Sequence, residues 1–531
     1  MMLRKNRKLI RELENSFGKE PKKDYDPGDM DRIRTWFDAC RAEGRDQFYV
    51  DETTWKDLDL DEVYKRINAC QCTAGEQYLY YMLRRPMDRE TYGKHNGIIH
   101  FLENHPDIRL KLQFLLNKTG ISRNVDVTSY FRPRETSLFW PAVYIAMGLL
   151  FFFSIAAIFL LDVKFAVVTV VLMAVNNFVH EVRRQRCETE IRRVNYCVML
   201  SLSLGKIRKW RNPELDGHLA EAYGHLDRMK PILRSGPVIS KINSDPFQDA
   251  MIGFFFTDLI AFEILKRKLA KYHEHFLAVH EAVGRLDASA AIASYRAGLK
   301  TRCEPEIVYD ADRPFIQAEK AVHPMLKEPV PNDLELERSM LITGSNASGK
   351  STYLRSAILC ALMAETICTC TCEHYRGSFF RVYTSIALSD DLLAGESYYI
   401  AEIRSLKRIL DEQEKNGYML CAIDEVLRGT NTIERIAASA EILKALVRPG
   451  TLCLIATHDA ELCALSGGRY QLTHFEETVS DTEISFDYKL KPGPAETRNA
   501  IHLLKLMGFD DTIVKAAHHR ADEYVRTGKW N

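Results

Sequence analysis

Apolar residues in the first 300 positions recur mostly with helical spacing. From Met30 to about Asp126, and again from Glu181 to Arg296, they fall at i, i+3 and i+4. This spacing predicts amphipathic helices. Residues 1–23 show similar spacing and carry eight Lys/Arg against three Glu. They predict a short basic helix, which is either a solvated terminal helix or a contact for anionic lipid or phosphate.

Two apolar runs interrupt this helical pattern. Ser137–Leu161 has 25 residues without a charge, and Phe165–Val179 has 15. The first run is long enough to cross a hydrocarbon core of about 30 Å as a helix. Arginines flank the pair on both outer sides, so the positive-inside rule predicts a membrane hairpin with both chain ends in the cytoplasm. A pair of buried core helices in a large soluble domain is the alternative.

From Pro305 onward, short apolar runs alternate with helical stretches. The runs Met340–Thr343, Tyr418–Ile423 and Thr451–Ala456 have the length and composition of buried strands. Strands that alternate with helices predict βαβ units and a largely parallel sheet.

Composition narrows the class of protein further. The 531 residues carry 72 Lys+Arg and 72 Asp+Glu, so the net charge of zero argues against a wholly basic nucleic-acid binder. At roughly 150 residues per domain, this length predicts three or four domains. The 13 cysteines follow no secretory signal, which argues against a disulfide scaffold. Cys368–Cys372 alternates cysteine with threonine, and we interpret these thiols as small buried hydrophobic groups and not as zinc ligands, because no second Cys/His pair follows at ligand spacing.

A phosphate-binding loop is the most specific motif in the sequence. It fits G-x-x-x-x-G-K-[ST], follows the apolar strand Met340–Thr343 and precedes a helix. In such a loop glycines let backbone N–H groups converge on phosphate oxygens, a lysine neutralises the β- and γ-phosphates, and a serine hydroxyl ligates Mg²⁺. The predicted binding residues are Gly344, Ser345, Asn346, Ala347, Ser348, Gly349, Lys350, Ser351 and Thr352.

Three further segments are candidates for the same site. The strand Tyr418–Ile423 ends in Asp424, a candidate Mg²⁺ ligand with Ser351, and in Glu425, a candidate base for the attacking water. The strand Thr451–Ala456 ends close to His458, whose imidazole is a candidate contact for the γ-phosphate or the water. Gly395 and Ser397 precede a predicted helix, whose N-terminus could hold another phosphate, possibly on a second subunit.

These ordered motifs resemble the MutS family of ABC-type DNA-associated ATPases. The family's phosphate loop is similar to residues 343–355, its signature loop to 389–397, its I-D-E-L-G-R-G-T-S-T motif to 423–432, and its A-T-H-x-x-E-L motif to 456–462. The resemblance implies an ATPase that uses ATP and Mg²⁺, with Asp424, Glu425 and His458 as catalytic residues. It also implies a homodimer, in which Gly395 and Ser397 of one copy complete the site of the other.

The resemblance has limits that change the expected function. The chain opens almost directly on the lever-like region of the family, which leaves no room for the mismatch-reading and connector domains. Glu396 and Tyr398 replace the family's Arg and Thr in the signature loop. We therefore expect a membrane-anchored, MutS-like ATPase that binds DNA by structure and not by mismatch. The alternative is a membrane-bound, ATP-driven mechanical or scaffolding protein that does not bind DNA.

The predicted fold is multidomain α and α/β. An all-helical lever domain carries the inserted hairpin, and an ABC-type P-loop ATPase domain with a largely parallel sheet follows. The predicted boundaries are 1–29 for the basic helix and linker, 30–136 and 181–304 for the two parts of the helical domain, 137–180 for the hairpin (137–161 and 163–180), 305–490 for the ATPase domain, and 491–531 for a C-terminal helical segment. The expected location is the cell membrane, with the ATPase domain in the cytoplasm.

Overall fold

The computed structural model describes residues 2–122, 137–233, 246–345, 348–386, 398–428, 430–479, 484–495, 501, 504 and 508–527. The chain divides into two compact units. The first unit comprises Met1–Gln47, Lys65–Met82 and Gly93–Gly298, and the second comprises Phe48–Tyr64, Leu83–Tyr92 and Leu299–Asn531. Two short segments from the predicted first helical part therefore belong to the second unit.

The first 300 residues are helical where they are described, as the spacing of apolar residues predicted. Their helices are α1 (Met2–Ser16), α2 (Asp29–Ala42), α3 (Glu52–Asp57), α4 (Leu60–Ile67), α5 (Thr73–Arg84), α6 (Arg89–Asn104), α7 (Pro106–Thr119), α8 (Phe139–Leu160), α9 (Phe165–Arg208), α10 (Pro213–Arg228), α11 (Lys230–Leu233), α12 (Pro246–Phe255), α13 (Thr257–Lys271) and α14 (His273–Gly298).

The core of the first unit forms where α9 and α14 pack among the shorter helices. Leu200 and Leu204 of α9 and Val283 of α14 are fully buried there. Helices α5 and α14 approach closely, because a Cβ on Gly284 would lie 2.6 Å from the carbonyl oxygen of Ala74. A side chain at residue 284 would force these two helices apart.

Asp287 of α14 satisfies backbone donors at the start of α5. Its carboxylate accepts hydrogen bonds from the backbone N–H groups of Gln71, at 2.9 Å, and Cys72, at 2.9 Å. The first N–H groups of a helix have no partner within the helix, so a carboxylate from another helix stabilises them. Burial nevertheless raises the pKa of Asp287 to about 6, because the charged form loses its hydration.

The two apolar runs form a helical hairpin. Helix α8 covers most of the first run, and the turn at Asp162–Lys164 leads into α9. Helix α9 contains the second run and then continues without a break to Arg208, so that 44 residues form one helix. The predicted boundary at residue 180 therefore lies inside a continuous helix.

Helix α12 packs against the hairpin. The Phe254 ring lies 5.5 Å from that of Phe151 on α8, and the Asn176 side chain on α9 donates to the Phe254 carbonyl at 3.0 Å. Close by, Nε2 of the buried His180 lies 2.9 Å from Oδ1 of the buried Asp258. The short apolar run around Phe254 thus packs on α8 and α9.

In the part of the second unit that the structure describes, there are three sheets and the remaining helices. The strands are β1 (Glu306–Val308), β2 (Ile316–Ala321), β3 (Asn332–Leu336), β4 (Met340–Thr343), β5 (His374–Ser378), β6 (Phe380–Ser385), β7 (Tyr418–Asp424), β8 (Thr451–Ala456), β9 (Gln471–His474), β10 (Glu477–Val479), β11 (Ile484–Phe486) and β12 (Lys491–Pro492). The helices are α15 (Lys350–Ile367), α16 (Tyr398–Glu412), α17 (Thr432–Leu446), α18 (Glu461–Leu465) and α19 (Asp511–Thr527).

The six-stranded sheet positions the candidate site. Its order is β12-β9-β4-β8-β7-β6, with parallel pairing throughout β9, β4, β8, β7 and β6 and antiparallel pairing between β12 and β9. Ala456 at the end of β8 is in register with Asp424 on one side and Ile342 on the other. The three strands that precede the predicted motifs therefore end at the same edge of the sheet. The other described sheets are β1-β5-β2-β3 and β10-β11.

Helix α3 packs on the outer strand of this sheet. Oδ2 of the buried Asp57 accepts hydrogen bonds from the Thr384 hydroxyl at 2.7 Å and from the Ile386 backbone N–H at 2.9 Å. The Thr54 hydroxyl accepts from the Thr384 N–H at 3.2 Å. These bonds satisfy the polar groups where β6 ends, which explains why residues 48–64 belong to this unit.

Candidate nucleotide site

The loop between β4 and α15 has the conformation that its two glycines allow. Gly344 has φ 143° and Gly349 has φ 102°, values that other residues rarely adopt. A Cβ on Gly344 would also lie 2.6 Å from the Phe475 carbonyl oxygen. Asn346 and Ala347, in the middle of the loop, lie outside the described residues. The described part has the strand–loop–helix arrangement that the motif predicted.

Lys350 lies buried at the start of α15 and bends back over the loop. Its Nζ donates to the carbonyl oxygens of Gly344 at 2.8 Å and Ser345 at 2.7 Å. Burial lowers the pKa of Lys350, while the carboxylates of Asp424 and Glu425 oppose this shift. A buried ammonium group beside a loop of converging backbone groups is suited to an anion with several oxygens.

Ser351 and Asp424 meet although they are 73 positions apart. The Ser351 hydroxyl donates to Oδ2 of Asp424 at 2.5 Å. Ser351 comes from the first turn of α15, and Asp424 is the last residue of β7. Mg²⁺ prefers oxygen ligands, and here a hydroxyl oxygen and a carboxylate oxygen lie next to each other. The structure thus brings together the two predicted metal ligands.

Glu425 turns away from the strand and points toward His458. Its backbone is left-handed, with φ 65°, which is unfavourable for a side chain of this kind. His458 Nδ1 lies 3.0 Å from Oε1 of Glu425. This hydrogen bond lowers the pKa of the Glu425 carboxyl and raises that of the His458 imidazole. The pair is therefore an ionised carboxylate held by an imidazole that protonates readily.

Arg428 also holds Glu425 and was not among the predicted site residues. Its Nε lies 2.8 Å from Oε2 of Glu425, and its guanidinium donates to the Asp424 carbonyl at 2.7 Å. Each oxygen of the Glu425 carboxylate thus has a side-chain nitrogen as its partner. In the sequence, Arg428 lies three residues after Glu425, within residues 423–432, which resemble a motif of the family. That position was the signal that could have identified it.

Two other acidic residues near the site were missed by sequence analysis. Glu477 accepts a hydrogen bond from the Ser345 hydroxyl at 2.6 Å. Glu402 is buried and accepts from the Arg428 backbone N–H at 3.1 Å, and burial raises the pKa of its carboxyl. Neither residue lies in a motif with a specific spacing, so the sequence offered no signal for them.

Lys350, Ser351, Asp424, Glu425 and Arg428 line one cleft of about 690 Å³ in the second unit. His458, Glu402 and Glu477 contact these residues or the loop from outside the lining. Polar groups of residues 348–352 and 424–428 form one part, and His323, Leu326, Val330 and Tyr488 form another. The volume is typical of sites for small molecules and cofactors. The buried hydroxyl oxygen of Ser348 has no hydrogen-bond partner among the described residues, as expected for a group that contacts a ligand. The described residues therefore fit a nucleoside triphosphate with Mg²⁺.

Not every predicted residue can be placed. Gly395 and Ser397 lie outside the described residues, as do Asn346 and Ala347. Thr352 lines the cleft from the exposed side of α15. The predictions for Gly395, Ser397, Asn346 and Ala347 therefore stay predictions.

Comparisons with known proteins agree with this geometry. Residues 340–524 match the family model "MutS domain V". This part of the chain is thus a MutS-family domain. The family model includes Lys350, Ser351, Asp424, Glu425 and His458, whereas the apolar wall around Leu326 precedes it.

Three MutS-family relatives illustrate the extent of the similarity. The DNA mismatch repair protein MutS of Thermus aquaticus is 33% identical over 38% of this chain and 25% of its own length. The MutS of Natronomonas pharaonis is 31% identical over 50% of this chain and 31% of its own. The probable DNA mismatch repair protein Msh6 of Drosophila melanogaster is 29% identical over 48% and 23%. The chain thus spans less than a third of the length of these curated MutS-family relatives.

Proposed function

We propose that this protein hydrolyses ATP with Mg²⁺ at the cleft between β4, β7 and β8. The observation that carries the proposal is the contact between Ser351 and Asp424 at 2.5 Å, beside the buried Lys350 and the Glu425–His458 pair. A phosphate loop, a metal-ligand pair and an ionised carboxylate in one cleft are the parts that hydrolysis of a phosphoanhydride requires.

Each residue has a defined role in this proposal. Lys350 and the loop backbone bind the β- and γ-phosphates, and Ser351 and Asp424 would hold Mg²⁺, which when bound neutralises charge on the phosphate oxygens. Glu425 accepts a proton from the attacking water, and its lowered pKa keeps it ionised. His458 and Arg428 orient the two carboxylate oxygens of Glu425.

The test is steady-state ATP hydrolysis and nucleotide binding by the full chain. Lys350→Ala should abolish binding at concentrations that saturate the unmodified protein. Lys444→Ala is the matched control, because Lys444 is an exposed lysine in the same unit, and its ionic partner among the described residues is Glu441 at 3.4 Å. If the Lys350 variant hydrolyses ATP at the control rate, the proposal is wrong.

We also propose that two copies complete each other's sites. The family resemblance supports this, because it implies that Gly395 and Ser397 of one copy face the phosphate loop of another. Chains with Lys350→Ala should be inactive, and so should chains with Ser397→Ala. In an equal mixture of the two variants, about half of the dimers should be mixed, and each mixed dimer should regain one of its two sites. About a quarter of all sites should therefore be restored. If each variant alone hydrolyses ATP normally, the shared-site model is wrong.

Membrane anchoring by residues 137–180 is a further part of the proposal. Helices α8 and α9 are long and apolar enough to cross a membrane, and only 22% and 11% of their most apolar windows are buried. Phe159 is 84% exposed, and Val167 and Phe178 are about 70% exposed. Core helices of a soluble protein would bury such side chains, whereas lipid would cover them. This exposure supports the membrane hairpin over the alternative of a buried core pair.

Alkaline carbonate extraction of cell membranes tests the anchor. The unmodified chain should stay in the pellet. The double variant Leu150→Arg/Val170→Arg should shift to the supernatant, because each arginine costs about 2.5–3.5 kcal/mol at the centre of a spanning helix. Ile433→Arg, at an exposed apolar position on α17, is the control and should stay in the pellet. Release of the unmodified chain by carbonate would contradict the proposal.

DNA binding is proposed from the relatives, which are named DNA mismatch repair proteins. The second candidate is an ATP-driven mechanical or scaffolding protein of the membrane that does not bind DNA. The hairpin favours this candidate. The first part of α9 carries the exposed apolar residues of the hairpin, and its second part carries core residues such as Leu200, so one helix connects the hairpin to the helical core. A titration with duplex, branched and single-stranded DNA, with and without ATP and at several salt concentrations, separates the two. The absence of saturable binding at low salt would favour the second.

A further inference from the structure

We propose that Cys303, Cys360, Cys370 and Cys372 bind a single Zn²⁺ ion behind the phosphate-loop helix. The site lies within the second unit, and it does not depend on the proposed nucleotide chemistry. For Cys370 and Cys372, it replaces the interpretation from the sequence that the thiols of Cys368–Cys372 are small buried hydrophobic groups.

The distances among the sulfur atoms carry the proposal. Sγ of Cys372 lies 3.4 Å from Sγ of Cys303 and 3.7 Å from Sγ of Cys360. The sulfurs of Cys303, Cys370 and Cys372 all lie within 4.8 Å of one another. In a tetrahedral site with Zn–S bonds of about 2.3 Å, the sulfurs are separated by about 3.8 Å. The sulfurs of Cys303, Cys370 and Cys372 therefore lie at nearly the separation of thiolates in a zinc site, and Cys360 adjoins them through Cys372 as the fourth ligand of the proposal.

Three separate segments supply the four thiols. Cys370 and Cys372 follow α15 and alternate with Thr371, Cys360 lies on α15 itself, and Cys303 lies just after α14. Backbone hydrogen bonds fix this arrangement, because Cys303 and Cys370 exchange N–H to carbonyl bonds of 3.1 Å in both directions. The backbone therefore presents the sulfurs together before any ion binds.

Burial of the thiols suits a structural ion. Cys360, Cys370 and Cys372 are fully buried, whereas Cys303 is half-buried and gives an ion a route of entry. Sulfurs this close leave room for one ion and not for a multi-iron cluster. Structural zinc sites are closed four-coordinate sites of this kind.

Another pair of buried cysteines shows what packing alone produces. Cys421 and Cys453 lie opposite each other on β7 and β8, with their sulfurs in direct contact. Among the described residues no third ligand joins that pair in a metal-binding group. Two sulfurs cannot close a zinc site, whereas four that converge from three segments can.

Sequence spacing could not reveal this cluster. A zinc site that is recognisable from spacing has a second pair of cysteines or histidines near the first pair, and no such pair follows Cys370 and Cys372. The other two ligands instead come from single positions 67 residues upstream and 10 residues upstream. Only the fold brings Cys303 next to α15.

The consequence is a metal link between the phosphate-loop helix and the segment by which the chain enters the second unit. Cys360 lies on the helix that begins with Lys350, and Cys303 lies five residues after the first unit ends at Gly298. Zinc binding to preformed thiolates stabilises the folded state, so removal of zinc should lower the melting temperature.

The test begins with the unmodified full chain, purified in detergent with zinc in the growth medium. Elemental analysis should find about one zinc per chain. After exchange with Co²⁺, the protein should show the intense visible bands of tetrahedral cobalt together with sulfur-to-cobalt charge transfer. This readout does not require a variant and does not depend on ATP hydrolysis.

Variants then assign the ligands. Cys303→Ser and Cys372→Ser should each reduce the bound zinc at least tenfold after dialysis against a mild chelator. Cys463→Ser is the matched control, because Cys463 is a half-buried thiol in the same unit and outside the cluster. It should retain full zinc content. Failure of the ligand variants to fold would leave the cobalt spectrum of the unmodified chain as the deciding measurement.

Two results would overturn the proposal. One is a chain that binds neither zinc nor cobalt while its thiols titrate as free thiols, which would leave packing as their role. The other is a Cys303–Cys372 disulfide found by peptide mapping of the protein purified without reductant. Either result would leave the nucleotide proposal intact, and loss of ATP hydrolysis would leave the zinc proposal intact.

Discussion

The His458 ring lies 3.0 Å from the Glu425 carboxylate, at the ends of two neighbouring parallel strands. If Glu425 accepts the proton of the attacking water, Glu425→Gln should lower kcat for ATP hydrolysis at least about 100-fold. ATP binding should change little, because the amide keeps the size of the side chain. Single-turnover hydrolysis and equilibrium binding measure the two effects. Hydrolysis within a factor of three of the unmodified rate would contradict the role of Glu425.

The same contact predicts how His458 titrates. Its pKa is raised above the usual 6.5 by Glu425, whereas burial acts in the opposite direction. In Glu425→Gln the pKa of His458 should fall below 6.5. Histidine-selective NMR, with the resonance assigned by its loss in His458→Gln, checks this shift. An unchanged pKa would mean that the two side chains do not interact in solution.

The sign of the stability effect follows from these shifts. His458 contributes stability below its unfolded pKa, and this is lost as pH rises through its raised folded pKa. Glu425 contributes stability above its unfolded pKa, and this is lost as pH falls through its lowered folded pKa. The pair therefore stabilises the fold most strongly between the unfolded pKa of Glu425, 4.5, and the unfolded pKa of His458, 6.5.

Arg428 should act as a positioning residue for Glu425. Arg428→Ala removes the contact with Oε2 of Glu425 and should lower kcat about 10-fold, with a smaller change in KM. Arg428→Lys keeps the charge but loses the fork that also reaches the Asp424 carbonyl, so it should recover only part of the rate. Steady-state kinetics of both variants check this order. Equal rates for the lysine variant and the unmodified chain would show that charge alone suffices.

Asp57 should stabilise the second unit, although it lies outside residues 340–524, which match the family model. Asp57→Ala leaves the Thr384 hydroxyl and the Ile386 N–H without their acceptor, which should cost about 3 kcal/mol. Denaturant unfolding of the full chain in detergent measures this loss. Asp59→Ala is the control, because Asp59 is largely exposed and lies 3.6 Å from Arg355. Equal stability of the two variants would contradict the prediction.

Asp287 should make the first unit less stable as pH rises from about 4 to 6. Its pKa is raised to about 6, so the folded state binds a proton that the unfolded state has already released in this range. The loss should reach about 2–3 kcal/mol. Asp287→Asn should remove this slope, whereas Asp38→Asn, at an exposed aspartate of α2, should keep it. Thermal unfolding at several pH values measures both slopes.

Local patterns in the sequence predicted much of this fold. Helical spacing identified the helical first part, and the phosphate-loop motif identified Lys350 and Ser351 beside Asp424. The helices and the contact between Ser351 and Asp424 are both present in the structure, because each follows from a periodicity or from a motif whose flanks are short. The roles of these side chains stay predictions. The apolar runs likewise predicted the helices α8 and α9, because 25 uncharged residues rarely form anything else.

Long-range packing was beyond the reach of the sequence. Nothing local in Asp57 indicates that it binds the end of β6, more than 300 residues away. The boundary expected at residue 180 was likewise inside a helix, because a change from apolar to charged residues alters what surrounds a helix but not its hydrogen bonds. The cysteine cluster escaped prediction for the same reason as Asp57, since its members meet only in three dimensions.

The unbroken course of α9 restricts how the first unit can move. At 1.5 Å per residue its 44 residues form a rod of about 66 Å, with no proline or glycine between Phe165 and Leu204 to act as a joint. If the helix tilts at Val170, Leu200 must therefore move as well. Its displacement grows in proportion to the distance between the two residues. Where α8 and the start of α9 lie in a membrane, as proposed, a change in the thickness or curvature of that membrane would alter the packing of the helical core.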